Sequence, residues 1–339
     1  MTAAASATAI SVGGPHFDDL AVGDRFDAAP SMTLTDGHAA LHQAIVADRL
    51  RLPLDATLSR AVTGEAGTLA HPALVCDVAI GQSTLATQRV IANLFYRGLV
   101  LHRAPVIGDT LRTSTDVVAL RRNRGRPGRG PTGLAVLRVR TTDQDDRTVL
   151  DFWRCAMLPV RDPALAADRA DDLDAVPTAL PDQLAGAIAA WDLGIYRRAL
   201  AAPEPVPAAG TRWAVEGADS VTCAPELARM TLNLATVHHD PFATPGSRRL
   251  VYGGHTIGIA ASHLARALPD LVYVVAWREC SHLAPVHEGD VLSSAVTLDG
   301  VTPLANGGAL AELRCELVAR RADGEHAPVL DWRLVGVLA

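Results

Sequence analysis

Lysine is absent from this chain: all 31 basic residues are arginines. Without an ε-amino group the sequence can build neither a Schiff base nor a Walker-type phosphate loop, and two broad enzyme classes fall away. Paired cysteines are missing as well. Cys76, Cys155, Cys223, Cys280 and Cys315 are odd in number, widely spaced and form no C-x-x-C, a usage that fits reduced thiols in a cytoplasmic setting better than disulfides or a zinc site. No run approaches the length of a membrane span, and residues 1–15, rich in Ala, Ser and Gly, lack the basic start and apolar core of a secretion signal. That segment reads as a disordered tail. A large charge of either sign is lacking too, since the net value is −6, which argues against a polyanionic partner such as nucleic acid. What remains is a chain of 339 residues with 49% hydrophobic content, enough to bury the cores of two ordinary domains.

The sequence also repeats itself. APVIGDTL at 104–111 returns with one inserted residue as APVHEGDVL at 284–292, and VLDFWRCAML at 149–158 returns as VLDWRLVGVL at 329–338. A displacement of roughly 180 residues in both pairs is that of a duplicated domain and not of a solenoid. The expected division is a tail at 1–16, a first unit at 17–160, a linker rich in Ala, Asp and Pro at 161–205, and a second unit at 206–339. In the first unit, Thr35-Asp36 signals a helix over 38–50, residues 53–68 read as a loop, and a second helix is expected from Pro72 to about residue 85. β-like runs follow at 89–96, 111–118, 134–140 and 149–160; in the second unit they stand at 271–277, 292–298, 310–318 and 329–338. A long helix followed by antiparallel strands, twice over, predicts an α+β arrangement. Within the linker, Leu180 to Leu200 has room for a helix that packs Trp191 and Tyr196.

Chemistry concentrates in one stretch, TLNLATVHHDPFATPGSRRLVYGGHTIG at 231–258. Asn233 ends a helical pattern that begins after Cys223, and His238 follows where that pattern has broken down. Tyr252-Gly253-Gly254 then opens an amphipathic run with Ile257, Ala260, Ala261, Leu264 and Leu268 on one face, stopped by Pro269. Free backbone N–H groups at such a start attract developing negative charge.

In this order, Asn233, His238-x-Asp240 and a Gly253 turn opening a long helix, the chain resembles the MaoC-like (R)-specific enoyl-CoA hydratases. Their motif reads roughly G-D-x-N-P-[LIV]-H-x-D, followed by an H-G turn. His238, Asp240 and Gly253 match, Asn233 stands in place of the Asp as in mesaconyl-CoA hydratase-like members, and Tyr252 replaces the His of the turn. The resemblance implies a double hot dog, each unit a long helix wrapped by an antiparallel sheet. It implies reversible hydration of 2-enoyl thioesters of coenzyme A or of acyl carrier protein phosphopantetheine, without metal or redox cofactor. His238 would carry the proton, Asn233 would hold the water, and the Gly253 N–H would meet the thioester oxygen. Asp240, Tyr252, Gly254 and His255 would line the substrate site. A non-catalytic acyl-thioester binding protein and a hot-dog thioesterase are the alternatives, and a monomer or a homodimer suits all three.

Aligning the units through Thr35 with Thr222 and Leu69 with Leu250 sets Asn233 opposite Val46, His238 opposite Arg51 and Gly253 opposite Pro72. On that alignment the first unit has lost the site. Other motifs read as scenery: His38 with His42, and His282 with His287, as surface pairs lacking a third metal ligand; Gly253-Gly254-x-x-x-Gly258 as only superficially like a dinucleotide loop, since the glycine spacing and the βαβ context are both missing; and Arg121, Arg122, Arg124, Arg126 and Arg129 as a solvated hairpin loop that could alternatively contact coenzyme A phosphates.

Overall fold

A computed structural model describes residues 10, 12–125, 127–166, 168–181, 184–200 and 207–339. Most of the expected tail, Arg126 and parts of the linker lie outside these described residues.

The first half opens with two short strands, β1 (Arg25–Phe26) and β2 (Met32–Thr33), and helix α1 (Asp36–Val46). Thr35 starts α1 as a reciprocal cap. Its hydroxyl accepts the His38 N–H at 3.2 Å while His38 Nδ1 accepts the Thr35 N–H at 3.2 Å. The segment expected to be a loop folds instead as two short helices, α2 (Arg51–Leu54) and α3 (Ala56–Thr63). Asp55 makes α3 possible by accepting the N–H groups of Thr57 and Leu58, both at 2.9 Å. Pro53 and the polar run around it had masked this. Helix α4 (Pro72–Gln82) follows, begun by a proline at its first position and by His71, whose Nδ1 accepts the Ala73 N–H at 3.1 Å. Every residue of α4 is buried, as befits the central helix of a hot dog. Strands β3 (Ala92–Leu101), β4 (Thr110–Arg122), β5 (Thr132–Thr142) and β6 (Thr148–Pro159) wrap it.

In place of one helix over 180–200 the linker holds the short helix α5 (Leu193–Arg198), which begins after Trp191; both aromatics are packed, Trp191 meeting the Tyr273 ring edge-on at 5.5 Å and the Tyr196 hydroxyl donating to the Leu271 carbonyl at 2.9 Å. The second half repeats the first with β7 (Arg212–Ala214), β8 (Asp219–Ser220), α6 (Ala224–Met230), α7 (Thr236–His239), the central helix α8 (Gly253–Ala267) and strands β9 (Leu271–His282), β10 (Val291–Pro303), β11 (Ala309–Arg320) and β12 (His326–Leu338). The repeated sequences become repeated joints. Asp109 accepts the Val106 N–H and Asp290 the His287 N–H, both at 2.9 Å, and Asp151 pairs with Arg138 at 3.0 Å as Asp331 does with Arg314 at 2.8 Å.

Among the described residues the strands form one sheet in the order β1-β4-β5-β6-β3-β9-β12-β11-β10-β7, with β2 beside β4 and β8 beside β10. The halves join edge to edge through antiparallel β3 and β9, where Leu99 lies opposite Trp277, and Arg97 donates to Glu279 at 3.0 Å across the seam. That union satisfies two strand edges that would otherwise stay open. Beneath the sheet α4 and α8 pack together. No helix among the described residues is long and apolar enough to cross a membrane.

The tightest joint lies at Gly81 of α4. A Cβ there would overlap the carbonyl oxygen of Thr231 and reach 3.3 Å from the Asn233 nitrogen, so the corner after α6 rests directly on the α4 backbone. Gly81→Val is expected to lower stability by about 2 kcal/mol or more, the scale of a forced shift in a packed core. A urea midpoint equal to that of the wild type would show that the joint is looser than described.

Candidate active site

A cavity of about 330 Å³ opens between the halves, walled by the end of α4 and the start of β3 on one side and by the segment from Asn233 to Thr256 on the other. Asn233, His238, Tyr252 and Gly253 all line it. The second-half loop is threaded onto the first half: Thr84 accepts the Leu234 N–H at 2.8 Å and the Gln88 carbonyl accepts the Thr236 N–H at 3.1 Å.

Hydrogen bonding fixes how the two polar side chains face the cavity. Asn233 is buried, and its Oδ1 accepts the Ala235 N–H at 2.9 Å. A backbone N–H can only donate, so the amide nitrogen Nδ2 is the end left for the cavity. His239, turned away from the cavity, holds the Asn233 carbonyl through Nε2 at 2.6 Å. His238 Nδ1 lies 2.9 Å from the Leu250 carbonyl, which can only accept, so Nδ1 carries the proton and Nε2 is a bare acceptor. Burial holds the His238 pKa down to about 4, against a smaller upward pull from the Leu250 bond, so the ring is neutral at pH 7. Its ring tilts against Tyr252, 5.7 Å between centroids.

The start of α8 forms the facing wall. Tyr252 precedes the helix and supplies no side-chain cap, because its hydroxyl donates elsewhere, to the Asp77 carbonyl at 3.2 Å. A helix start without a cap leaves N–H groups for a ligand oxygen. At Gly253 the absence of a side chain matters directly: a Cβ would lie 2.7 Å from His282 Nε2 and 3.5 Å from the Tyr96 hydroxyl. His282 and Tyr96 both line the cavity, and the reading of His282 as a surface residue is corrected here. Burial also pushes the His282 pKa down to about 4.

Three residues expected at the substrate site lie elsewhere. Asp240 is exposed and caps the next turn, accepting the Phe242 N–H at 2.9 Å. Gly254 faces the Asp77 carboxylate and the Tyr252 ring, which occupy the space a side chain would need. His255 is fully buried on the opposite side of the helix with neither nitrogen hydrogen-bonded, and burial puts its pKa at about 4. A helix start points successive residues in different directions, so proximity in sequence to Gly253 misled.

The first unit retains more of the motif than sequence alignment shows. Ala47 and Leu232 both end a helix with φ near +60° (57° and 59°), and the next residues, Asp48 and Asn233, each accept the N–H two positions on, at 2.9 Å. Asn233 is therefore opposite Asp48 and not Val46, His238 is opposite Pro53 and not Arg51, while Tyr252-Gly253 stays opposite His71-Pro72. The shorter α6 absorbs the difference, which an apolar helix pattern conceals. Asp48 is committed to His71 Nε2 at 2.8 Å; burial works to raise its pKa, yet His71 beside it brings it below the ordinary value. His42, far from being a surface residue, is buried with its ring 5.2 Å from His71 and Nε2 3.6 Å from Asp77. Burial raises the Asp77 pKa, only partly countered by His42 and Tyr252.

The buried His238 and His255 and the half-buried His282, all neutral, are expected to make the fold acid-labile. His238, His255 and His282 have folded pKa values of about 4 against an unfolded value of 6.5, so between these limits the unfolded chain binds more protons and stability falls as pH drops. Each group contributes a slope of about 1.4 kcal/mol per pH unit in that window and nothing above it. Urea midpoints should be level from pH 7 to 8 and drop steeply between pH 6 and 5; a flat profile to pH 5 contradicts the buried placement.

No known family profile matches the chain. A solved structure from Mycobacterium tuberculosis, described as a conserved hypothetical protein essential for bacterial survival during infection and having a double hot-dog fold, superposes with a TM-score of 0.89 at 50% identity over 97% of this chain and 100% of that one. A mesaconyl-CoA hydratase of Cereibacter sphaeroides is 28% identical over 351 residues, covering 95% of this chain and 98% of that protein. A beta-methylmalyl-CoA dehydratase of Chloroflexus aurantiacus is 27% identical over 296 residues, 82% of this chain and 80% of that protein. Sharing half its residues and its whole architecture with that Mycobacterium tuberculosis protein, the chain belongs to the same family of double hot-dog proteins.

Proposed function

We propose that this chain is a hydratase/dehydratase that interconverts 2-enoyl and 3-hydroxyacyl thioesters, with the (R) product that the family resemblance implies, acting on coenzyme A esters in the cytoplasm. The observation that carries the reading is the neutral His238, its Nε2 bare, lining one cavity with the Asn233 amide and the uncapped start of α8. Relatives named for coenzyme A thioesters favour that carrier over acyl carrier protein.

The chemistry follows from the groups in the wall. A water donates one hydrogen bond to His238 Nε2 and accepts one from Asn233 Nδ2. As its oxygen attacks C3, the proton passes to Nε2, and the electron pair of the double bond moves through C2 onto the thioester oxygen. The Gly253 N–H at the helix start steadies that enolate charge. His238 then returns the proton to C2 on the same face, so the elements of water have been added and the ring is neutral again. Asn233 cannot take a proton, since its oxygen is bound to Ala235 and its cavity end is a donor. Its contribution is to steady the oxygen while the C3–O bond forms or breaks, in either direction. No step calls on a metal or redox cofactor.

His238→Ala should lower the hydration rate of crotonyl-CoA on the order of a hundredfold or more while leaving binding of a saturated thioester intact. Asn233→Asp should shift the rate by less than about tenfold. In the wild type, the acid limb of kcat/KM should stand near pH 4, where His238 protonates, and not near 6.5. A wild-type protein that binds enoyl-CoA esters but never turns them over would instead be a thioester-binding protein.

A further inference from the structure

During hydration the thioester oxygen meets one donor, the Gly253 N–H, although a carbonyl oxygen has two lone pairs to satisfy. A second donor stands at the same corner. Tyr96 of β3 lines the cavity and is only 1% exposed. Neighbouring rings hold its own in place: Phe152 and Trp277 meet it edge-on at 5.9 Å, and His282 at 5.8 Å. Its hydroxyl nonetheless has no hydrogen-bond partner among the described residues. A buried phenol ordinarily finds a partner, and this one ends instead in the open space of the cavity. A Cβ on Gly253 would lie 3.5 Å from the hydroxyl, so the phenol and the start of α8 border one space.

The duplication shows that the fold does not require a hydroxyl at this position. In the seam between the halves Tyr96 lies opposite Cys280, and by the same two-fold relation Ala276 lies opposite Val100. Ala276, fully buried, therefore holds the corresponding place in the second copy. The nearby Arg154, which lines the cavity at 3% exposure, likewise corresponds in the repeated decamer to the fully buried Leu334. At both places the polar group belongs to the copy that faces the cavity.

Burial pushes the Tyr96 phenol up, and the Arg154 charge pulls it down by less, so the hydroxyl keeps its proton at pH 7. A protonated phenol in apolar surroundings donates more strongly as negative charge develops on the acceptor, which is what hydration requires at the thioester oxygen.

We propose that the Tyr96 hydroxyl is the second donor to the thioester oxygen, acting with the Gly253 N–H as a catalytic residue of the hydration. One donor then comes from each half, and the half without the histidine still takes part in the chemistry. The assignment rests on the reading that an acyl thioester enters the cavity, but not on turnover.

The test therefore uses a spectrum as well as a rate. Tyr96→Phe removes one oxygen and leaves the ring. With crotonyl-CoA its kcat should fall on the order of a hundredfold, the scale of losing one oxyanion donor, while KM changes by less than about threefold. Loss of a group that only packs would spare kcat. Butyryl-CoA cannot be hydrated and reports the contact without turnover: with an isotopic label at its carbonyl, the infrared C=O stretch of the bound thioester should lie at lower frequency in the wild type than in Tyr96→Phe, because a donated hydrogen bond weakens the C=O bond. If that difference appears in a protein that never turns over enoyl esters, the hydratase reading fails and the donor assignment stands. Equal stretching frequencies, a kcat within about threefold of an active wild type, or loss of butyryl-CoA binding by a variant that still unfolds cooperatively would each overturn the assignment. A wild type that binds no thioester would defeat both readings.

Discussion

The contact of Gly81 with the Thr231 carbonyl is the constraint on which the site depends. Helix α4 belongs to the first half and the corner after α6 to the second, and only a residue without a side chain lets their backbones touch. From that contact the Asn233 amide, the bond from Leu234 to Thr84, and the short helix bearing His238 follow in sequence. The chemical groups are thus mounted on the interface between halves and not within either one.

A second consequence is electrostatic. The cavity is bordered by histidines and tyrosines that burial keeps neutral, so the field inside is set by very few sources: the start of α8 and the Arg154 guanidinium. In such surroundings a dipole or a single cation acts far more strongly than it would in water. Asp77, the carboxylate packed against Gly254, is withdrawn from the cavity and shares its side of α8 with His42.

Much of this was legible in the sequence, for identifiable reasons. The duplication showed because each copy needs an aspartate to close the turn before its long strand, as Asp109 and Asp290 do. The central helices showed because Pro72 and Gly253 mark sharp beginnings. Asn233 and His238 stood out because polar residues interrupt apolar runs there. Helices α2 and α3 were hidden by Pro53 and by Asp55, whose capping role is invisible until the chain is folded. Asp48 was hidden by the unequal lengths of α1 and α6. Arg154 was in plain view inside a repeated decamer, but only the fold reveals that this copy faces a cavity and the other, with Leu334, faces the core.

Linking two hot dogs in one polypeptide has a genetic consequence. In a dimer of identical single units any codon change strikes both pockets together, so a proline at the position of Pro53 would remove the histidine from both. Here Pro53 and His238 sit at corresponding places in the same molecule, as do Asp48 and Asn233, and each residue can be kept or lost on its own. The tether thus releases the two copies from inheriting one another's fate.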